Sequence, residues 1–179
     1  MAKKTAKKSA KRKQAKKQAA KKKSSKPAPK LVVKSNSINP YLTFDGNCEE
    51  AFNLYKSVFG GNFPYVGRFK DMPPVDGKAV PAKEGEKIMH MSLPIGDGSV
   101  LMGSDSSEAF GHVTVIGNNF SISLNAFSEK EADRIYKGLS AGGKATMPMS
   151  KTFWGSYFGM LTDKFGIHWM VSVEEKKNK

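Results

Sequence analysis

The chain has 179 residues and a formal charge of +14, with fourteen of its thirty Lys and Arg residues packed into residues 1–30, which hold no acid. Residues 31–179 hold sixteen basic and sixteen acidic residues, so the basicity belongs to a tail and the rest has no net electrostatic bias. The single cysteine, Cys48, excludes an intrachain disulfide or multi-cysteine zinc site; no apolar run reaches the roughly 18 residues of a membrane span, and the charged start lacks the apolar core of a secretory signal.

Residues 1–36 read as a disordered basic tail and linker, residues 37–175 as one domain, and residues 176–179 as a charged end. The tail is built almost wholly from Lys, Ala, Ser and Gln, with no aromatic side chain. Little there can offset the entropy of ordering, and like charges three and four residues apart oppose a helix until an anion neutralises them. Lys3, Lys4, Lys7, Lys8, Lys11, Arg12, Lys13, Lys16, Lys17, Lys21, Lys22 and Lys23 are the candidate nucleic-acid contacts. They would neutralise phosphates without reading sequence; stacking on bases is not available to them. The expected setting is a reducing cytoplasm, with nucleoid or nuclear association through the tail.

The domain opens with a strand over residues 38–45, in which Leu42 and Phe44 point one way and Tyr41 and Thr43 the other. Asp45-Gly46-Asn47 is turn chemistry leading into a helix, with Glu49 and Glu50 favoured in its first turn. Ala51, Phe52, Leu54, Tyr55, Val58 and Phe59 form its apolar stripe, and Gly60-Gly61 ends it. A strand is predicted over 63–69, then a loop rich in Pro, Gly and charge over 70–86. Residues 87–95 alternate, with Met89, Met91, Leu93 and Ile95 against His90, Ser92 and Pro94. Gly96-Asp97-Gly98 turns the chain into a return strand over 99–104. A second loop covers 105–117.

The pattern then repeats. A strand over 119–126 sets Ile122 and Leu124 against Ser121, Ser123 and Asn125. Ser128 caps a helix carrying Ala132, Ile135, Tyr136 and Leu139. Ala51, Leu54, Tyr55, Lys56 and Val58 match Ala132, Ile135, Tyr136, Lys137 and Leu139, all 81 residues apart. Strands follow over 145–153, 156–162 and 167–173, the last two joined by a turn at Asp163–Gly166. On the final strand Ile167, Trp169, Val171 and Val173 share one face; His168, Met170 and Ser172 share the other. The fold class is therefore α+β: two βαβββ modules forming a curved mixed sheet around a cleft, each module burying one sheet face under its helix.

This paired plan resembles the vicinal oxygen chelate superfamily of glyoxalase I, bleomycin-resistance proteins, extradiol dioxygenases and fosfomycin-resistance enzymes. More narrowly, INPYLTFDGNCEEAFNLYKSVFGG, KIMHMSLPIGDGSVLMGSD and FWGSYFGMLTDKFGIHW are similar to the PhnB-like branch. The tail, outside that resemblance, is similar to the Lys/Ala-rich tails of linker histones and bacterial histone-like proteins. The resemblance implies homodimers whose clefts two chains complete. In metal-dependent members, ligands come from the first, fourth, fifth and eighth strands. The nearest positions here are Tyr41, residues 101–103, Ser121 and Met170, whose hydroxyls and thioethers do not suit a divalent ion. No metal ligand or other cofactor is therefore predicted; a two-histidine site with a carboxylate is the alternative.

The candidate ligand-binding residues are Tyr41, His90, Ser92, Ser121, Trp154, Tyr157, His168 and Met170. His90 and His168 are also the candidate acid–base groups, since imidazole transfers protons near neutrality. Cys48, near a helix start, is read as inert for want of a neighbouring His. No glycine-rich strand-to-helix turn of the dinucleotide or S-adenosylmethionine type is present. The leading expectation is a module that binds or sequesters a small molecule. The alternatives are a lyase or isomerase acting on a small oxygenated substrate, and a nucleoid-associated factor whose function lies in the tail.

Overall fold

The structure, a computed structural model, describes residues 38–74, 79–96 and 98–174. The tail and its nucleic-acid candidates, and residues 175–179, lie outside the described residues. The first module runs β1 (Tyr41–Phe44), α1 (Cys48–Phe59), β2 (Tyr65–Arg68), α2 (Ala82–Gly85), β3 (Ile88–Ile95) and β4 (Ser99–Asp105). The second runs β5 (Ile122–Asn125), α3 (Glu129–Ser140), β6 (Lys144–Lys151), β7 (Ser156–Thr162) and β8 (His168–Glu174). The 81-residue offset holds at both ends of the long helices, Cys48 to Glu129 and Phe59 to Ser140. The sheet orders repeat as well: β1-β4-β3-β2 and β5-β8-β7-β6. In each sheet the first pair is parallel and the rest antiparallel. The two mixed sheets and their helices are the α+β architecture expected from the sequence.

The helices start where local chemistry starts them. Ser128 Oγ accepts the Glu131 amide at 3.2 Å, and Glu131 in return accepts the Phe127 amide at 3.0 Å, a reciprocal cap that satisfies two orphan donors. At α1 a distant side chain does this work. Asp105, closing β4, accepts the Cys48 amide at 2.9 Å and the Ile88 amide at 2.8 Å, tying helix start to sheet.

One apolar core joins the modules. Leu42, Phe44, Met91, Leu93 and Leu101 from the first sheet meet Leu161, Trp169 and Val171 from the second. The helix layer lies between these inner faces. Phe52 of α1 packs on Gly103 of β4, while Tyr55 and Phe59 set their rings 5.4 and 5.8 Å from Trp169 of β8. Gly138 of α3 abuts Val58, and Arg134 Nη1 donates to the Val58 carbonyl at 2.6 Å. Both sheets therefore turn their inner faces to the same helices, and their opposite faces point away from each other, uncovered by α1 or α3.

Gly103 is required by close approach. A Cβ there would sit 2.6 Å from the Phe52 ring and 3.0 Å from the Leu42 carbonyl. Gly103→Ala is expected to cost about 2 kcal/mol by overpacking, read as a lower urea midpoint at unchanged m.

The first module departs from the sequence-based outline in its 70–86 loop and on β3. A 3-10 turn at Phe69–Asp71 overlaps the start of the 70–86 loop, and the short α2 lies within it. On β3, Gly67 stands opposite His90 but Arg68 stands opposite Ile88. Met89 is the extra residue of a β-bulge. Ile88 thereby turns into the core at 1% exposure, and Met89 leaves the core face on which strict alternation placed it. No helix among the described residues is long and apolar enough to cross a membrane.

Candidate functional site

The outward face of the first sheet is set by register. Tyr41, Met102, Ser92 and Tyr65 lie level across β1, β4, β3 and β2, and Thr43 lies level with Ser104. Level residues on neighbouring strands share a face. Met89 joins them because of the bulge. Over this face lies a cleft of about 810 Å³, within the range of small-molecule sites.

Three segments build it. Tyr41, Thr43, Met89 and Ser104 form the sheet side. Phe69 and Met72 come from the turn after β2, and Phe110, His112, Val113, Thr114 and Val115 from the loop after β4. Phe69 and Phe110 stack at 5.3 Å with an 18° tilt, making one aromatic wall.

The floor is polar. Asp105, Ser106 and Ser107 line it and are nearly fully buried. The Asp105 carboxylate is occupied by the Cys48 and Ile88 amides. Behind Ser106, Lys87 Nζ donates to its carbonyl at 3.3 Å and pairs with Glu84 at 3.0 Å. Lys87 first, and then Ser107, hold the buried Glu84 carboxyl below the usual carboxylate range.

His90 sits beside this cleft. Tyr41 stacks on its ring at 5.6 Å, and Tyr65 lies at 5.7 Å. The Tyr41 hydroxyl is 3.2 Å from His90 Nδ1, so a phenol lining the cleft is in hydrogen-bond reach of an imidazole next to it. Gly67, opposite His90, gives Tyr65 its place: a Cβ there would fall 2.6 Å from the Tyr65 hydroxyl.

The other candidates fall elsewhere. His168 and Met170 lie on the outward face of the second sheet, where His168 Nδ1 is 2.9 Å from Thr162 Oγ1. Met170 is level with Met160 of β7 and Ser123 of β5. Ser121, expected on the fifth strand, precedes it; the β5 residue beside Met170 is Ser123. Trp154 stands in the β6–β7 hairpin with Phe153, 4.8 Å away, and Phe158, 6.0 Å away. Tyr157 points toward the helix layer, because it is one residue out of step with Phe158, and donates to Asp133 Oδ1 at 2.8 Å. The chain therefore brings together Tyr41, His90 and Ser92 and separates them from His168 and Met170. Cys48 is fully buried; burial, then Asp105 and Glu49, push its thiol well above the usual range, consistent with an inert side chain.

Phe69, Met72, Phe110 and His112 were not among the sequence candidates. Phe69 ends the strand predicted over 63–69, and the other three sit in loops with no period to reveal a face. Their one available signal is a scatter of aromatic and thioether side chains in otherwise polar loops.

The divalent metal implied by the fold plan meets an unsuitable donor set. The corresponding positions are Tyr41 and Met102 on the first sheet and Ser123 and Met170 on the second: a phenol, two thioethers and a hydroxyl. Hard and borderline divalent ions favour carboxylate, imidazole or thiolate donors over these. Among the described residues, no three His, Cys, Asp or Glu side chains are grouped to hold a metal ion.

Comparison with known proteins agrees with the fold. Residues 36–172 match the family model described as 3-demethylubiquinone-9 3-methyltransferase. Protein YjdN of Escherichia coli (strain K12) is 33% identical over 146 residues, spanning 78% of this chain and 97% of that protein. The crystal structure of PA1353 from Pseudomonas aeruginosa is 42% identical with a TM-score of 0.68, covering 78% of this chain and 98% of that one. A Bacillus cereus PhnB protein, described as a putative 3-demethylubiquinone-9 3-methyltransferase, is 27% identical with a TM-score of 0.61, covering 76% and 98%. The chain belongs to the 3-demethylubiquinone-9 3-methyltransferase family, is PhnB-like, and has the glyoxalase/bleomycin-resistance fold.

Proposed function

We propose that this protein binds and sequesters a small organic molecule in the cleft over its first sheet, works as a homodimer, and is held near nucleic acid by its basic tail. The cleft carries the reading. It has the size of a ligand site, one aromatic wall and hydroxyls along its sheet side, which is how protein sites hold and orient small molecules. Among the described residues, no three His, Cys, Asp or Glu side chains are grouped there to hold a metal ion. A thermal-shift screen of small aromatic and oxygenated compounds on the full chain tests this. Stabilisation by a compound, lost in a variant with Ser104 enlarged to fill the cleft, is the expected result.

The family description names methyl transfer, and the residues do not fit an S-adenosylmethionine site of the glycine-rich strand-to-helix type. Such a site uses free amides at a helix start. Here the Cys48 amide is taken by Asp105 and the Glu131 amide by Ser128.

The homodimer is supported by the two outward sheet faces. A sheet face rich in Met and aromatic residues normally packs against something. Within one chain the helix layer keeps the two faces apart, so a cleft between them needs two copies. Val113, Val115, Ile116 and Phe120, all above 60% exposed, border the first-sheet cleft or follow it in the connecting loop.

The tail reading rests on its fourteen cations and absence of acid. Removal of residues 1–30 is expected to abolish a DNA gel shift. The intact chain should lose affinity with salt at a log–log slope of about −0.9 per phosphate neutralised. Undiminished binding without the tail would overturn the tether.

A second reading, a proton-transferring lyase or isomerase on a small oxygenated substrate, is favoured by the 3.2 Å contact between the Tyr41 hydroxyl and His90. In that reading Tyr41 touches the substrate and His90 exchanges the proton with it. Turnover by the wild type that falls with His90→Gln while ligand affinity stays unchanged would favour it over sequestration.

A further inference from the structure

The charges around the cleft restrict what it can take. Among the described residues of one chain, no Lys or Arg lines it. Lys87, the cation behind Ser106, is neutralised by Glu84 and donates to a backbone carbonyl. The one carboxylate on the lining, Asp105, is buried and spent on two amides. What remains is a set of hydroxyls at Tyr41, Thr43, Ser104 and the buried Ser107, the imidazole of His112, and an apolar wall that includes Phe69, Phe110 and Met89.

We infer that the cleft selects an uncharged ligand: a flat, largely apolar ring system bearing hydroxyl or carbonyl oxygens, with phosphate, phosphonate and carboxylate groups rejected. The inference rests on the reading of the cleft as a small-molecule site. An anion entering it would lose hydration and find no opposite charge, a cost that hydroxyl donors do not cover. A ring with one or two oxygens instead matches the lining, stacking beside Phe110 and Met89 and giving and accepting hydrogen bonds at Tyr41, Thr43 and Ser104.

A matched pair of probes separates the two cases: 1-naphthol, and 1-naphthyl phosphate with the same ring and two added charges. Binding to the full chain is measured by equilibrium dialysis at about pH 8, where ordinary imidazole is neutral, and in about 0.5 M NaCl to screen the tail. Ser104→Trp, which fills the cleft, gives the tail-only background, with its thermal melt as the folding control. Thr43→Arg, on an exposed edge position, places a cation at the cleft. The expected result is that 1-naphthol binds at least tenfold tighter than its phosphate ester and is lost in Ser104→Trp. In Thr43→Arg the ester should gain at least tenfold relative to 1-naphthol. Ester binding to the wild type as tight as 1-naphthol, and lost in Ser104→Trp, overturns the charge selection while leaving a small-molecule site. Binding of neither probe by wild type or Thr43→Arg removes the small-molecule reading and this inference with it.

Discussion

Asp163→Ala should destabilise the protein by about 4 kcal/mol. Asp163 lies in the turn between β7 and β8 and is 4% exposed. Its Oδ2 accepts the Tyr55 hydroxyl at 2.8 Å and the Trp169 indole Nε1 at 2.9 Å. Its Oδ1 accepts the Phe165 and Ile167 amides at 2.9 and 3.0 Å. One carboxylate thus closes the hairpin and fastens α1 of the first module to the second sheet. Removing it strands four donors, two of them on side chains that are themselves fully buried. Asp163→Asn keeps the volume but presents an amide NH₂ to a site of donors, and should lose about half as much. Tyr55→Phe removes only one partner and should cost about 1.5 kcal/mol. Urea unfolding of the three variants checks the order.

The same contact predicts an alkaline limb. Burial first, and then the charge of Asp163, raise the Tyr55 phenol far above its ordinary value in the folded state. The unfolded chain ionises near the ordinary value of about 10 while the folded chain keeps its proton. The folded state then binds more protons, so stability is complete below about pH 10 and falls above it, by up to about 1.4 kcal/mol per pH unit for this group. Tyr55→Phe should flatten that limb relative to the wild type.

The second large effect is on assembly. If the first-sheet face of one copy covers the second-sheet face of another, a charge on either face blocks the pairing. Met102 and Met160 are half-buried on the two faces, so a lysine there can reach water in a single chain and cost folding little. In the dimer it would be buried without a partner. Met102→Lys and Met160→Lys are each expected to weaken the dimer by about a hundredfold or more, with thermal melts close to the wild type extrapolated to low concentration. Sedimentation velocity across a concentration series reads it. A wild type that stays a single chain at every concentration would contradict the homodimer.

Much of this fold was legible because its period is local. β1 and β8 alternate cleanly, Ser128 and the double glycines mark helix ends, and the 81-residue offset exposes the duplication. The bulge at Met89 was not legible, since a one-residue slip is decided by pairing with Gly67 and Arg68 and not by the β3 sequence itself. Asp163 read only as a turn residue; its hold on Tyr55 depends on α1 arriving from 108 residues away in the chain. His90 and His168 look alike on paper, each on the polar side of an alternating strand. Only the helix layer between the sheets shows that they face opposite ways. The cleft itself was hardest to see, because half its wall comes from aperiodic loops that carry Met72, Phe110 and His112.

The central claim is a cleft that binds an organic ligand without a divalent metal, and metal content tests it most directly. The full chain is dialysed against Zn²⁺, Ni²⁺ or Mn²⁺, then against metal-free buffer, and assayed by mass spectrometry beside His90→Ala and His168→Ala. The phenol, thioether and hydroxyl donors predict no stoichiometric metal in any of the three proteins. One equivalent of metal in the wild type, lost in either histidine variant, would contradict the account and make a metal-dependent enzyme the better reading.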